Sequence, residues 1–529
     1  MYRVLVADKL APQGMAILRD SPELEIDEAI GLKPPELAAK VGPYQGLVVR
    51  SGSRVTAEVI AAATNLKVIG RAGIGVDNID VDAATKRGIV VMNTPSGNNV
   101  TTAEHAISMM LALARSIPQA TASMKAGKWE KGRFTGSEVF SKTLGIVGIG
   151  NIGSLVAERA VGLKMKVVAF DPFITAAAAQ RLGVELVSLD DLYSRADFIS
   201  IHTPLTAETR GMVNAEAFAR MKKGVRVINC ARGGIVDEQA LAAAIRAGTV
   251  AGAALDVFEK EPPGADNPLL GLDQVICTPH LGAATDEAQV NVSVAIAQQV
   301  ANFLTGGAIQ DAVNVPTISP ELLEIFGPYL LIGEKLGSLQ AQLLTAAPQQ
   351  VVIEYAGEVT NYDVKPLSLA VLRGLLGRMM EEGFVNYVNA PAIARERGIK
   401  VVEAKTTQVK GFSNLMTVHV TTEQGTSVVA GAIFGQKTVR LVRINKFFLD
   451  ADPEGYILML HNKDVPGVVG SVGLALGEAK INIARLELGR EDVGGMAISL
   501  FHVDEPIPDA VMECLRQLPN IVSAQLIRL

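Results

Sequence analysis

The stretch "TLGIVGIGNIGSLVAERAVGLKMKVVAFDP" runs from Thr143 to Pro172 and constrains the fold more than any other part of the chain. Gly148, Gly150 and Gly153 spell G-x-G-x-x-G between a strand-like run, "LGIVGIG", and a helix-like run, "SLVAERAVGL". Each glycine has its own task in such a turn: a tight bend, close approach of backbone to a pyrophosphate, and close packing of helix on strand. The helix start adds unpaired N–H groups and the positive end of a dipole. The next strand-like run, "KVVAFD", ends in Asp171. A carboxylate at that spacing accepts both ribose hydroxyls and repels a 2′-phosphate, so the pattern predicts an NAD site rather than an NADP site.

The glycine turn begins more than a hundred residues into the chain, and the residues before it repeat a β-then-α rhythm. "YRVLVAD" (2–8), "GLVVRSG" (46–52), "LKVIGRAGIG" (66–75) and "GIVVMNTP" (88–95) alternate with Ala-rich stretches. This predicts a first parallel sheet with helices on its faces. "TTAEHAISMMLALAR" (101–115) reads as a long helix, capped by Thr101 or Thr102, with Glu104 or His105 in its first turn. From 143 to 282 six strand-like runs, each separated by enough chain for a helix, predict a second doubly wound sheet. "TDEAQVNVSVAIAQQVANFLTGG" reads as one helix ending at Gly306-Gly307, and "DAVNVP" with "TISPEL" marks a boundary. Residues 317–450 mix helix and strand without a motif. From Gly455 the order is βαββαβ, the ferredoxin-like arrangement.

The bulk numbers agree with a large α/β protein. At ~100–200 residues per domain, 529 residues give three to five domains. A formal net charge of −6 leaves no basic face for nucleic acid or an anionic membrane. No uncharged apolar run reaches the ~20 residues that cross a bilayer, and "MYRVLVADKL" reads as a first strand rather than a leader. Cys230, Cys277 and Cys514 are odd in number and far apart, which excludes a disulfide framework and a cysteine-based metal site and points to a reducing cytoplasm.

Ligands of an open α/β sheet sit beyond the carboxyl ends of its strands. Arg232 follows "VRVINCA", Glu261 follows "GAALDVF", and His280 follows "QVICTP". Oxidation of a 2-hydroxy acid needs these three types. Its hydroxyl proton must pass to a base of near-neutral pKa, which suits histidine. A paired carboxylate raises that pKa and selects the tautomer. A guanidinium grips the substrate carboxylate with two parallel hydrogen bonds and polarises the reacting C–O bond. Taken singly, His280 also reads as a loop residue and Glu261 as a solvated turn carboxylate. Together, in this order beside the glycine turn, they predict His280 as acid/base, Glu261 as its partner and Arg232 as substrate anchor.

"NCARGGIVDE", "ALDVFEKEPP" and "PHLGAAT", added to the glycine turn and its Asp, resemble the D-isomer-specific 2-hydroxyacid dehydrogenase family. "GRAGIGVDNID", "NTPSGNNVTTAEH" and "KWEKGRFTGSE" are similar to the branch of that family that oxidises 3-phosphoglycerate at the head of serine synthesis. The resemblance implies a split substrate lobe, 1–98 with 284–316, around an NAD lobe, 99–283, with the helices near 101–115 and 285–305 as crossovers and a hinged cleft between the lobes. It implies Asn151, Ile152, Thr203, Cys230, Ala231, Asp256, Gly282 and Ala283 at the cofactor. Ile74 stands where some members have Thr. Arg50, Ser51, Gly52, Arg71, Gly73, Asn98 and His202 are implied at the substrate, whose two anionic groups call for cations beyond Arg232. Arg133 is implied to reach a neighbouring subunit's cleft.

The resemblance extends to the rest of the chain. Residues 317–450 are similar to an intervening domain, in which Lys437, Arg440 and Arg443 read as a solvated strand face or an anion site. Residues 451–529 are similar to an ACT domain, a regulatory module that binds amino acids at subunit interfaces. That likeness implies a homo-oligomer, dimer or tetramer, with L-serine as effector held by Asn462, Asp464, Gly467 and Asn482. A second reading of the tail is a module that only pairs with its copy. A glyoxylate or hydroxypyruvate reductase, and an NAD(H)-sensing co-repressor scaffold, are the competing functions. No metal is implied.

Overall fold

The parallel strands form where apolar runs are buried on both faces. In the computed structural model, which describes residues 1–529 except 308, 317, 319, 382–383, 407–413 and 436, Gly46–Val49 is buried at every position. It lies inside a five-stranded, wholly parallel sheet in the order Leu24–Glu28, Tyr2–Val6, Gly46–Val49, Val68–Arg71, Val90–Met92. A sheet covered by helices on both sides needs such continuous apolar strands.

A second parallel sheet has seven strands, in the order Val275–Cys277, Val250–Leu255, Val225–Asn229, Phe198–Ile201, Thr143–Val147, Lys166–Phe170, Glu185–Leu186. Two helices tie the sheets together. Asn99–Ala114 leaves the first sheet and packs Ala106, Met110 and Leu113 in one core with Leu144, Ile146, Val156 and Ile228 of the second. Asp286–Leu304, capped by Thr285, returns and packs Val292, Ile296 and Val300 with Val4, Val6 and Val68 of the first. The former helix starts earlier than its cap signals predict. Asn98 is the N-cap without a side-chain cap bond, Thr102 Oγ1 donates to Asn98 O, and Glu104 lies beyond the first turn, paired with Arg159 at 3.1 Å. The tight turn "PSGNN" sets this helix start, not the threonines.

The expected boundary at Thr317 falls outside the described residues. Beyond it, helices Pro320–Leu343 and Lys365–Gly377 cover a six-stranded mixed sheet ordered Lys400–Thr406, Gln350–Gly357, Asn414–Thr422, Gly425–Phe434, Thr438–Ile444, Phe447–Ala451. The last segment is a four-stranded antiparallel sheet ordered Ile483–Arg490, Met496–Val503, Tyr456–Lys463, Ile521–Arg528, with helices Val468–Glu478 and Asp509–Gln517. This is the ferredoxin-like order expected from the sequence. One face packs on its own helices through Leu458, Leu460, Val472, Phe501 and Leu515. The other face, with Ile457, Met459, Ile498, Leu500 and Ile527, shares a core with the six-stranded sheet. Among the described residues no helix is long and apolar enough to cross a membrane.

Candidate active site

The seven-stranded sheet reverses its strand order between Thr143–Val147 and Phe198–Ile201, which are neighbours in space but separated in the chain by the outer strands. A crevice opens at such a reversal, and the glycine turn lies there. Gly148 has φ +89°, and a Cβ on it would meet Thr203 Cγ2 at 2.7 Å and His202 O at 2.8 Å. A Cβ on Gly153 would run into Gly148 O, so the helix Asn151–Gly162 could not approach its strand. At Gly150 nothing lies within 4 Å of the missing side chain. Its backbone faces open space. Asp171 accepts from Ile149 N at 2.9 Å and Phe173 N at 2.8 Å, which ties the carboxylate to the turn it serves.

In front of the turn lies a cavity of about 310 Å³ between the two parallel lobes. Asn151, Ile152, His202, Thr203, Cys230, Ala231, Arg232, Asp256, His280, Gly282 and Ala283 line it from one lobe, and Arg71 and Asn98 line it from the other side. Arg50, Ser51, Gly52 and Gly73 line an adjoining cavity of about 670 Å³ that shares Arg71, Asn98, His280 and Ala283 with the first and also includes Glu261. The sequence pattern thus converges on one cleft. His202 lines the first cavity together with Arg232 and His280. Half-buried, with Nε2 2.8 Å from Ser200 Oγ, its imidazole is pushed down to about 4 by desolvation and stays neutral.

His280 Nδ1 lies 2.7 Å from Glu261 Oε2, and Glu261 Oε1 accepts from Phe258 N at 3.1 Å. The hydrogen bond to Glu261 raises the imidazole pKa above its usual value, with the charge of Asp256 adding to it, while burial and Arg232 oppose. Burial alone would raise Glu261, but the bonds from His280 and Phe258 N hold its carboxyl below the usual range. His280 itself has φ +55°, a conformation that a non-glycine residue keeps only when its surroundings hold it. Asp256 supplies that hold. It is 1% exposed, its O accepts from His280 N at 2.9 Å, and its carboxylate accepts from Leu281 N at 2.7 Å and Gly282 N at 2.8 Å. Thr278 Oγ1 (2.6 Å) and His105 Nε2 (3.3 Å) complete its partners. Sequence reasoning assigned His105 to a helix start only. Its partner lies 151 residues away in the chain, and no local pattern reveals it.

Arg71 ends the strand Val68–Arg71, and Arg50 and Arg232 lie just beyond the ends of Gly46–Val49 and Val225–Asn229. Burial, helped by the nearby Arg232 and Arg50, lowers the Arg71 guanidinium to about 10, where it is still charged at neutral pH. Its Nε and that of Arg50 are buried without a partner among the described residues. A Cβ on Gly73 would collide with Arg71 Nη1. Asp8 accepts from Arg50 N at 2.6 Å and Ser53 N at 3.0 Å, and Asn78 Nδ2 donates to the carbonyls of Arg50 and Ser53 at 2.7 Å each. Asp77, a residue the sequence did not single out, accepts from Arg232 Nε at 2.8 Å. Arg133 pairs with Asp273 at 3.3 Å and Glu130 at 3.6 Å, away from the cleft of its own chain.

Three family models match this chain: the D-isomer specific 2-hydroxyacid dehydrogenase NAD-binding domain at 107–282, the D-3-phosphoglycerate dehydrogenase intervening domain at 325–445, and the ACT domain at 456–520. A protein of Synechocystis sp. named D-3-phosphoglycerate dehydrogenase is 43% identical over 100% of this chain and 95% of its own. Proteins of the same name from Archaeoglobus fulgidus (44%) and Bacillus subtilis (42%) align over 100% of both chains. The chain belongs to the D-3-phosphoglycerate dehydrogenase family. It is an NAD-dependent 2-hydroxyacid dehydrogenase. Among solved structures, a glyoxylate reductase from Paecilomyes thermophila is 29% identical with TM-score 0.55, covering 59% of this chain and 98% of its own. A D-lactate dehydrogenase from Aquifex aeolicus, complexed with NAD and lactic acid, is 29% identical with TM-score 0.51, covering 57% and 96%.

The residues of this dehydrogenase fit NAD. Thr203 Oγ1 and Asn98 Oδ1 are buried without partners among the described residues, and Gly150 leaves an open cradle. Buried polar atoms without partners are costly and so point to a ligand that satisfies them. Cys230 beside them is inert: burial pushes its thiol up.

The tail of the dehydrogenase places its expected effector residues in two groups. Asn462 is buried, accepts from Ser499 Oγ at 2.8 Å and donates to Lys463 O at 2.9 Å, so it is used inside the sheet. Asp464 accepts from Gly494 N at 3.2 Å, and Gly467, with φ +97°, opens the helix Val468–Glu478. Asn482 does not join them within one chain. Ile483 pairs with Val503, and Val503 with Tyr456, at the far end of the strand from Asn462. At ~3.4 Å per residue that separation is roughly 20 Å. Asn482 Nδ2 donates instead to Asp504 at 2.8 Å. Arg440 is paired with Asp450 and Asp452, and Arg443 Nε donates to Asn445 O at 2.6 Å, so these two are not free strand-face cations.

Proposed function

We propose that the enzyme oxidises D-3-phosphoglycerate to 3-phosphohydroxypyruvate with NAD, and that this is the first step of serine synthesis. The observation that carries the reading is the set of three guanidiniums, Arg50, Arg71 and Arg232, in the cleft that holds the His280–Glu261 pair. A substrate with a carboxylate and a phosphate suits several cations, one of them partly desolvated. The names of the full-length relatives agree.

Asn151, Ile152, Thr203, Ala231 and the glycine turn would hold NAD, with Asp171 as the acceptor for its ribose hydroxyls, and NAD would supply the hydride acceptor. Arg232 grips the substrate carboxylate and polarises the C–O bond, and Arg50 and Arg71 meet the phosphate. His280, held at Nδ1 by Glu261, turns Nε2 toward the substrate hydroxyl and takes its proton. Glu261 stabilises the imidazolium that forms. Asp256, with its N–H and hydroxyl partners, keeps the His280 turn in place.

The split lobes, 1–98 with 284–316 around 99–283, belong to this reading, since a cleft between two bodies closes to exclude water. So does a homo-oligomer, dimer or tetramer: Ile117, Met124, Trp129 and Phe140 are all exposed, and the helix Ile117–Lys125 buries no residue in its own chain. Free Cys230, Cys277 and Cys514 suit a cytoplasmic enzyme. The ACT domain suits feedback by L-serine at a subunit interface.

The test is NADH formation on a panel of 2-hydroxy acids with the keto product trapped, with and without L-serine. The expected result is a kcat/KM for 3-phosphoglycerate above those for D-lactate and glycolate, and a rate lowered by serine. Preference for an unphosphorylated acid removes the substrate assignment, and a rate indifferent to serine removes the feedback.

The dyad also sets the pH profile. Oxidation needs neutral His280, so the rate falls as pH drops through the raised imidazole pKa. Glu261→Gln removes the main raising cause, leaving burial and Arg232 to lower it against the smaller raising effect of Asp256. The acid limb of kcat/KM is expected to move to lower pH in that variant. An unmoved limb would mean that another group sets it.

A further inference from the structure

The ion pair between Asp77 and Arg232 spans the cleft. Asp77 follows the strand Val68–Arg71 of the five-stranded sheet, and Arg232 follows the strand Val225–Asn229 of the seven-stranded one. Asp77 Oδ2 takes the hydrogen of Arg232 Nε at 2.8 Å, while Arg232 Nη1 donates to Ala231 O at 2.7 Å. Those two bonds fix the plane and rotation of the guanidinium, leaving Nη2 and the outer hydrogen of Nη1 as the free edge. That edge is the fork that binds a carboxylate with two parallel bonds.

The loop around the pair is built for it. A Cβ on Gly75 would collide with Arg232 Nη2 and lie 2.9 Å from Asp77 Oδ2. Asn93 Nδ2 holds Ile74 O at 2.6 Å, and Asn78 ties the same loop to the Arg50–Ser53 turn. Asp77 also lines both cleft cavities. It is 67% exposed at its side chain, so it contributes little to the stability of its own lobe. Its bond reaches Arg232 only when the two lobes stand close.

We infer that Asp77 is a positioning residue that holds Arg232 across the cleft, so that lobe closure and the presentation of the guanidinium fork to the substrate carboxylate are one event. The inference rests on the reading of Arg232 as carboxylate anchor.

A double-mutant cycle tests it, on whichever 2-hydroxy acid the wild type turns over best. Asp77→Asn keeps the size of the side chain and removes its charge. Loss of a charge-assisted bond predicts a kcat/KM lower by roughly ten-fold, mostly through KM of the hydroxy acid, with NADH affinity from fluorescence quenching nearly unchanged. Asp77→Glu, which retains the charge, is expected to recover part of the loss, and it also serves where the Asn variant melts early. In an Arg232→Lys background, which lacks the fork, Asp77→Asn is expected to add almost nothing. Equal losses in both backgrounds, an NADH affinity that falls with the KM effect, or a lower KM in Asp77→Asn would each overturn the role. A KM unchanged by Arg232→Lys alone would instead show that the anchor assignment is at fault, and the inference would fall with it.

Discussion

His280→Ala is expected to lower kcat for NADH formation by about 10²–10⁴-fold, the usual contribution of a positioned acid/base, while NADH binding stays nearly unchanged. The asymmetry follows from geometry. His280 owes its orientation to Glu261 at 2.7 Å and to the Asp256 backbone, and neither bond is needed to form the glycine turn that faces the cofactor. His280→Asn restores a polar side chain but no proton acceptor of suitable pKa, so it is expected to be no better. Steady-state rates with NADH titration by fluorescence decide the matter. A variant that keeps most of its turnover would remove the acid/base assignment, and one that loses NADH affinity in step with turnover would make His280 a binding residue.

Arg232→Ala is the second large effect. The guanidinium is partly buried, with one edge held by Asp77 and Ala231 O. Removing one partner of a desolvated charge pair costs about 3 kcal/mol, or roughly 10²-fold in kcat/KM for the hydroxy acid. The loss is expected for every 2-hydroxy acid, because all carry the carboxylate, whereas Arg71→Ala is expected to penalise the phosphorylated substrate selectively. Rates for 3-phosphoglycerate and D-lactate with the two variants separate these outcomes. Equal penalties on both substrates from Arg71→Ala would take the phosphate away from Arg71.

The limits of sequence reading show in particular residues. Gly148, Gly150, Gly153 and Asp171 were legible because one turn and one strand bring them together, and their spacing is itself the signal. Arg232, Glu261 and His280 were legible because strands of a parallel sheet end on the same side. Asn462 is an expected effector residue from the likeness to an ACT domain, but strand register turns it inward to Ser499. Asn482 looked close to it because their strands are near in the chain order. Antiparallel pairing instead puts it at the other end of the sheet. Thr101 and Thr102 satisfied a capping rule that a tighter turn at Asn98 overrode.

From its residues alone the chain specified two parallel α/β bodies, a dinucleotide turn in the second and a βαββαβ tail, because local spacing and apolar runs encode strands, turns and their common edge. The joining of Asp77 to Arg232 and of His105 to Asp256, and the burial that lowers Arg71 and His202, were decided only by the tertiary structure. Those contacts link residues from different elements, and a hydrogen bond or a desolvation depends on distance in space, which separation along the chain does not carry.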